Sequence, residues 1–241
     1  MISIQNLTKY YPMRGGGLHY VMKNVSLDIP SNKSIGILGP NGAGKSTLLR
    51  MIGGAEAPNS GIIKTSSSVS WPLGLNVGFQ GSLTGRQNVL FVCQINGLNK
   101  AETRQIIDAV LNFSELKEYF DMPVKTYSSG MRARLGFGVS INFDFDYYLI
   151  DELTSVGDAV FRKKASREFE RIKKASSLIY VTHNLQSLRE SCDSAIYLHD
   201  GKVTYYKDIN DGIRVYNDYI WAKNGKPKKK AAKKVSNKTT T

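Results

Sequence analysis

Apolar and polar residues alternate over the first part of the chain, with the period of two that is typical of strands. The pattern predicts strands at residues 2–7, 20–29 and 34–38. Directly after the last of them, residues 45–52 have the spacing of a helix, and a glycine pair ends it. A strand, a loop and a helix in this order form half of a βαβ unit, so the pattern predicts an α/β fold.

The rest of the chain continues the α/β pattern around one long helical region. Residues 62–79 are strand-like, and residues 84–120 follow a helical period. This helical region interrupts the sheet pattern, as a small subdomain placed on a core sheet would. Further on, the predicted elements are buried parallel strands at 147–150 and 178–181, a charged helix at 162–174 and an amphipathic helix at 211–221.

Composition narrows the class of protein. Apolar residues make up 41% of the 241 residues, which is typical of a globular protein with a substantial core. No apolar run reaches the length of a membrane-spanning helix, and the N-terminus lacks the pattern of a signal peptide, so we expect a cytosolic chain. Cys93 and Cys192 are far apart in apolar patterns, and we expect two reduced structural thiols.

The formal net charge of +13 is concentrated at the C-terminus. From Lys223 onward the chain carries eight lysines and no acidic residue, which leaves +5 (13 minus 8) for the remainder. Residues 222–241 have no apolar face, so we expect a lysine-rich disordered tail. Its composition fits contact with anionic lipid headgroups, contact with nucleic-acid phosphates, or a solubilising extension without a partner, and leaves the three open.

A glycine-rich loop stands between the third predicted strand and the first predicted helix. It matches the pattern G-x-x-x-x-G-K-[ST], in which backbone N–H groups turn toward phosphates at a helix N-terminus. Lys45 supplies a point charge for the β and γ phosphates, Ser46 a hydroxyl for Mg²⁺, and Thr47 a further phosphate contact. The predicted nucleotide-binding residues are Gly39, Pro40, Asn41, Gly42, Ala43, Gly44, Lys45, Ser46 and Thr47.

Two carboxylates and one tyrosine add to this predicted nucleotide site. Asp151 ends a buried strand, where the ligands of open α/β sheets bind, and is predicted to hold Mg²⁺. The adjacent Glu152 points elsewhere and is suited to orient and deprotonate the attacking water. Tyr11 is the predicted aromatic platform for adenine, and Tyr10 and Tyr20 are alternatives.

A third segment, Tyr127-Ser128-Ser129-Gly130-Met131, ends twenty residues before Asp151. The order of glycine loop, third segment and carboxylate pair resembles the Walker A, signature and Walker B motifs of an ATP-binding cassette (ABC) ATPase. The resemblance implies ATP hydrolysis with ATP and Mg²⁺ as cofactors. It also implies a P-loop NTPase nucleotide-binding domain at residues 1–221, in which a mixed sheet core carries an antiparallel β part and a helical subdomain at about 84–140.

The resemblance assigns catalytic roles to two polar residues. Gln80 resembles the Q-loop glutamine, which reaches the metal or the water and reports the nucleotide state to a partner protein. His183 follows a predicted strand and resembles the switch histidine that contacts the γ phosphate. His19 and His199, the other histidines, are expected to be structural.

The signature segment implies a second copy of the chain. In this family the segment binds the γ phosphate of ATP held by another subunit, which here assigns that contact to Ser128, Ser129 and Gly130. Asp158 belongs to a segment that resembles the D-loop, which crosses the same interface. One chain holds one set of motifs, so two complete sites imply a homodimer with ATP between the subunits.

A closer resemblance concerns the cargo. In the common signature a glycine and a glutamine stand where this chain has Ser129 and Met131, and the altered form is normal in one family. Residues 70–75, 78–86, 125–138 and 144–158 resemble the ATPase subunit of Gram-negative capsular polysaccharide exporters. That resemblance implies a homodimer bound to a polytopic membrane subunit at the cytoplasmic face of the inner membrane. Polysaccharide would be the cargo, and periplasmic polysaccharide export proteins would be indirect partners.

Alternative functions stay open at this point. Related ATPases export O-antigen or teichoic acid. A soluble ABC ATPase acting on ribosomes or DNA would fit the positive charge, but such proteins join two cassettes or insert long coiled coils, and the sequence has neither pattern. We therefore expect no nucleic-acid partner. A catalytically inactive scaffold conflicts with the presence of Lys45, Asp151, Glu152 and His183.

Overall fold

A computed structural model describes residues 1–73, 78–151 and 158–224 of the chain. Its first sheet contains three antiparallel strands in the order β2-β1-β4. Strand β1 spans Ile2–Pro12, β2 spans Leu18–Ile29 and β4 spans Ser60–Thr65. The ends of β1 and β2 form a hairpin that projects beyond the core, and its residues 11–20 are exposed. The apolar pattern therefore signalled only the buried parts of these two strands.

The second sheet has five strands in the order β5-β6-β3-β7-β8. The first four run parallel and β8 pairs antiparallel to β7. The central strand β3 is buried along its whole length, as an interior strand of a parallel sheet should be. The strands are β3 (Ile35–Leu38), β5 (Tyr147–Asp151), β6 (Ser177–Val181), β7 (Ser194–His199) and β8 (Lys202–Tyr206).

Helices cover both faces of the second sheet and form a separate helical part. Their apolar faces pack into three buried clusters, one on each side of the sheet and one within the helical part. The helices are α1 (Lys45–Ile52), α2 (Gly85–Ile95), α3 (Lys100–Ser114), α4 (Ser129–Ser140), α5 (Ala159–Ala175), α6 (Leu185–Ser191) and α7 (Ile209–Asn224). Short 3₁₀ helices lie at Lys117–Asp121 and Val124–Thr126.

Two predicted elements differ from the structure, and three observed elements were not predicted. Among the described residues of the strand-like region 62–79, the strand ends at Thr65, and Val69 and Leu73 then make single bridges to β5. The helical region 84–120 is divided, because the side chain of Asn99 caps a new helix. Elements α6, β7 and β8 were not predicted.

The C-terminal helix is longer than the predicted 211–221. Helix α7 continues past Trp221 to Asn224, so the first residues of the expected tail are helical, and residues 225–241 lie outside the described residues. Within the described part of the chain, no helix is both long and apolar enough to cross a membrane. Cys93 and Cys192 are buried free thiols, and burial raises the pKa of Cys192 to about 12.

Candidate nucleotide-binding site

The carboxyl ends of three neighbouring strands bring the predicted site residues to one edge of the second sheet. The glycine loop follows β3, His183 follows β6 and Asp151 ends β5. These groups and the β1–β2 hairpin surround a cavity of about 420 Å³. Its lining residues are Tyr11, His19, Val21, Asn41, Gly42, Gly44, Lys45, Ser46, Thr47, Asp151, Val181, Thr182 and His183.

Backbone geometry shapes the phosphate-binding end of this cavity. Gly44 precedes α1 with φ +95°, and a Cβ placed on it would lie 2.1 Å from a methyl carbon of Val21. Only glycine therefore allows the hairpin to pack this closely on the loop. Because glycine has no side chain to cap α1, the first-turn N–H groups of the helix suit an anion. Lys45 Nζ donates to the carbonyl oxygens of Gly39 and Pro40, at 2.8 and 3.0 Å.

The hairpin contributes an aromatic ring to the lining of the cavity. Tyr11 lines the cavity, whereas Tyr10 and Tyr20 pack against each other with ring centroids 5.4 Å apart. Tyr20 lines a different groove. Of the three candidate tyrosines, Tyr11 is therefore the one that the fold places in the cavity.

His19 was expected to be structural, but the structure places it in the lining of the cavity. It stands directly opposite Tyr11 in the β1–β2 pairing, it is exposed, and it lines the same cavity. The predicted second strand began at residue 20, one residue after His19, so the alternating pattern did not assign the His19 side chain to either face of a strand. His199, in contrast, packs between the rings of Tyr197 and Tyr219, as expected of a structural histidine.

Capping hydrogen bonds present His183 at the end of β6. Thr182 Oγ1 accepts a hydrogen bond from the backbone N–H of Asn184 at 3.2 Å. The Asn184 side chain then caps α6 by accepting from the N–H groups of Gln186 and Ser187. The exposed imidazole is thus held on a short turn between a strand and a helix.

Gln80 lies away from the cavity lining. It is exposed, and its backbone is held by the buried side chain of Asn88. Asn88 Oδ1 accepts from the Gln80 N–H at 2.8 Å, and Asn88 Nδ2 donates to the carbonyl oxygens of Gln80, Leu83 and Thr84. The sequence analysis missed Asn88. Its only sequence signal is a polar residue on the buried face of α2.

The three predicted Mg²⁺ ligands lie in two places. The Ser46 hydroxyl and the half-buried Asp151 carboxylate share the cavity, and Gln80 does not. Oxygen donors of this kind are what Mg²⁺ prefers. Among the described residues, no group of three or more His, Cys, Asp and Glu side chains could hold a metal ion. Glu152 lies outside the described residues.

The signature residues are also outside the cavity lining. Ser128 caps α4, and its Oγ accepts from the Met131 N–H at 3.2 Å. Ser128 and Ser129 are exposed, and Gly130 is half-buried.

The predicted D-loop aspartate is linked to the signature helix by an ion pair. Asp158 caps α5 by accepting from the Phe161 N–H, and it pairs with Arg134 on α4 at 2.6 Å. The Phe161 N–H and the Arg134 charge together lower the pKa of Asp158. The preceding D-loop residues 155–157 lie outside the described residues.

Comparisons with known proteins agree with this arrangement. Residues 22–155 match the ABC transporter family. The chain is 52% identical to the polysialic acid transport ATP-binding protein KpsT of Escherichia coli, over 91% of this chain and 97% of that protein. It is 42% identical to the capsule polysaccharide export ATP-binding protein CtrD of Neisseria meningitidis serogroup B, over 90% of this chain and 99% of that protein.

A solved structure shows the same fold. The dimeric, post-hydrolysis ATP-binding cassette MJ0796 bound to ADP and Pi matches with a TM-score of 0.68 and 23% identity, over 87% of this chain and 99% of that chain. The predicted fold, with a mixed sheet, an antiparallel β part and a helical part, is therefore confirmed.

Proposed function

This chain belongs to the ABC transporter family, and we propose that it is the ATP-hydrolysing subunit of a capsular polysaccharide exporter. The observation that carries the cargo assignment is the 52% identity over nearly the full length of a polysialic acid transport protein. The similarity to a capsule polysaccharide export protein supports the same class of cargo. ATP is the nucleotide, as for other ATP-binding cassettes.

The nucleotide would lie along the cavity, from the hairpin to α1. Adenine would stack on Tyr11, since an aromatic face holds a base without reading its hydrogen-bonding groups. The phosphates would meet the N–H groups of the glycine loop, together with Lys45 and Thr47. The remaining loop residues would shape this cradle through their backbone.

Hydrolysis would take place at the strand ends. Ser46 and Asp151 would hold Mg²⁺, which offsets the charge of the phosphates when it is bound. Glu152 would orient and deprotonate the attacking water, and His183 would contact the γ phosphate. Gln80 would join them only after its segment moves toward the cavity.

A homodimer would complete each site. Ser128, Ser129 and Gly130 form the exposed N-terminal end of α4, outside the chain's own cavity, so their donors are available to ATP bound in a second copy. Asp158, linked to the same helix through Arg134, would lie near that interface. ATP between two subunits would hold them together, and hydrolysis would release them.

The membrane partner would be a separate, polytopic subunit. Helix α2 exposes the apolar side chains of Leu90, Phe91 and Ile95 and directly follows the Gln80 segment. We assign this surface to the membrane subunit, because docking there would connect the nucleotide state to transport. The chain would thus lie at the cytoplasmic face of the inner membrane, with residues 1–221 as the ATPase domain.

The test is the location of polysaccharide in the source bacterium with Glu152→Gln at the chromosomal locus. Loss of surface polymer, with polymer accumulating inside the cell and normal amounts of the variant protein, is the expected result. Glu118→Gln, which changes an exposed carboxylate in the helical part, is the matched control. Unchanged surface polymer in the Glu152 variant would rule out the capsule assignment, and ribosome and nucleic-acid binding would then be measured.

A further inference from the structure

Four side chains form a polar cluster directly behind the adenine end of the cavity. The cluster consists of Lys9 and Tyr11 on β1, Arg50 on α1, and Glu56 in the turn between α1 and β4. The Tyr11 hydroxyl donates to Glu56 Oε1. Lys9 Nζ lies 2.8 Å from the same oxygen, and Arg50 Nε lies 3.0 Å from Oε2. Both oxygens of Glu56 are therefore engaged, and one of them holds the tyrosine.

The cluster is mostly withdrawn from solvent. Lys9 is buried, and its Nζ also donates to the Ala57 carbonyl and lies over the Tyr11 ring, 5.1 Å from the ring centroid. Burial alone would raise the pKa of the Glu56 carboxyl, but hydrogen bonds from Lys9, Tyr11 and Arg50 outweigh burial and lower that pKa to about 2. Glu56 is thus ionised at any pH at which the protein works.

The cluster also joins the two walls of the cavity. Arg50 Nη2 donates to Thr47 Oγ1 at 3.3 Å, and Thr47 lines the phosphate end. A continuous chain of contacts therefore runs from Tyr11 through Glu56 and Arg50 to α1. Tyr11 itself is 37% exposed, so packing leaves its ring partly free, and its hydroxyl bond to Glu56 restrains it together with Lys9, which lies over the ring.

We propose that Glu56 is a positioning residue for ATP: it fixes the Tyr11 ring at the distance from the phosphate loop that adenine requires. The inference rests on the proposed contact between Tyr11 and adenine. A neutral amide in place of the carboxylate would leave one acceptor oxygen for Lys9, Arg50 and the Tyr11 hydroxyl, so the tyrosine would lose its fixed partner. The base-dependent part of ATP affinity would fall, while the affinity for phosphates alone would stay.

The test compares ATP with inorganic tripolyphosphate, a probe that has the phosphates and no base. Dissociation constants of the full-length chain are measured for both probes by calorimetry. We expect Glu56→Gln to weaken ATP binding about tenfold, within the range that base–aromatic stacking supplies, and to change tripolyphosphate binding by less than about twofold. Tyr11→Phe, which removes only the hydroxyl, should lower ATP affinity in the same selective way but less. Glu118→Gln should change neither.

A double variant separates positioning from a general structural effect. In the Tyr11→Ala background, Glu56→Gln should cost no further ATP affinity, because the ring that it positions is gone. Equal losses for ATP and tripolyphosphate, or full additivity in the double variant, would overturn the proposal. If Glu56→Gln fails to fold, the Tyr11→Phe comparison decides, and unchanged ATP affinity there overturns it.

The same series distinguishes this inference from the function on which it rests. If Tyr11→Ala leaves ATP affinity unchanged, the proposed adenine contact itself is wrong, and the positioning role is wrong with it. If Tyr11→Ala weakens ATP binding but Glu56→Gln and Tyr11→Phe do not, the adenine contact stands and only the role of Glu56 is overturned.

Discussion

Helices α1 and α4 both begin at predicted phosphate-binding segments, but in opposite surroundings. The N-terminus of α1 opens into a cavity enclosed by three strand ends and a hairpin. The N-terminus of α4 is exposed, and Ser128 caps it. The N-terminal N–H donors are thus enclosed at α1 and open to solvent at α4. An enclosed donor set can hold a nucleotide within one chain, whereas an open one requires a second surface.

The two regions also differ in what holds them in place. Around α1, glycine conformations and a buried strand determine the geometry, as the close contact of Gly44 with Val21 shows. Core packing buries the body of α4, and on its exposed side Arg134 reaches Glu115 and Asp158 through ion pairs at 3.5 and 2.6 Å. Exposed ion pairs contribute only about 0–1 kcal/mol to stability. The α4 surface can therefore adjust to a partner at low cost, which suits a site that is completed by association.

The largest expected effect comes from disabling each region separately. Lys45→Ala should lower ATPase activity by about 10²-fold or more, because it removes a charge aimed at the phosphates. Ser129→Glu should lower it about tenfold or more, because it places a negative charge where the partner's γ phosphate would lie, and should leave ATP affinity nearly unchanged. Steady-state phosphate release and calorimetric ATP titration measure the two quantities.

Mixing these two inactive variants tests whether the regions act in different chains. A mixed dimer contains one site with both changes and one with neither, so activity should reappear when the variants are combined. Lys33→Ala, an exposed lysine just before β3, is the control for charge removal and should keep full activity. If mixtures that form dimers do not regain ATPase activity, α1 of one chain and α4 of the other do not form one site.

A smaller effect is expected in the segment around Gln80, which lies between α1 and α4 in the chain. Asn88→Ala should destabilise the protein by about 1–3 kcal/mol, because it leaves buried backbone groups near Gln80 without partners. Urea unfolding measures this loss. Asn96→Ala removes an exposed asparagine bond at the end of the same helix and should cost far less. Equal losses in the two variants would show that the Asn88 contacts do not hold the Gln80 segment.

The smallest effect concerns acid stability. The pKa of Glu56 is lowered from 4.5 to about 2, so its contribution to stability is complete above about pH 4.5 and disappears as pH falls toward 2. The stability difference between the natural protein and Glu56→Gln should therefore shrink over that interval. Asp158→Asn should show the same sign with a smaller change, because its ion pair is exposed. Thermal unfolding from pH 6 to pH 2.5 compares them, and a difference that grows in acid would contradict both assignments.

Local patterns in the chain were sufficient for the enclosed region. The glycine loop, the helix at 45–52 and the strand before Asp151 follow from short stretches in which backbone conformation and burial are strongly constrained. The structure places the glycine loop, Asp151 and His183 around one cavity, as expected of residues at the carboxyl ends of neighbouring parallel strands, and the β1–β2 hairpin adds Tyr11.

The remaining features arise from contacts between segments that are distant in sequence. Glu56 lies beside Tyr11 only because β1 and α1 pack together, and Asn88 reaches Gln80 only because the chain turns back before α2. The residues of α6, β7 and β8 carry ordinary local propensities, and it is pairing with β3 and packing against the sheet that give them their structure. Motif spacing thus identified the chemistry from the sequence. Tertiary packing decided which side chains hold the catalytic and binding residues in place, because contacts between separate segments produce no periodic pattern in the sequence.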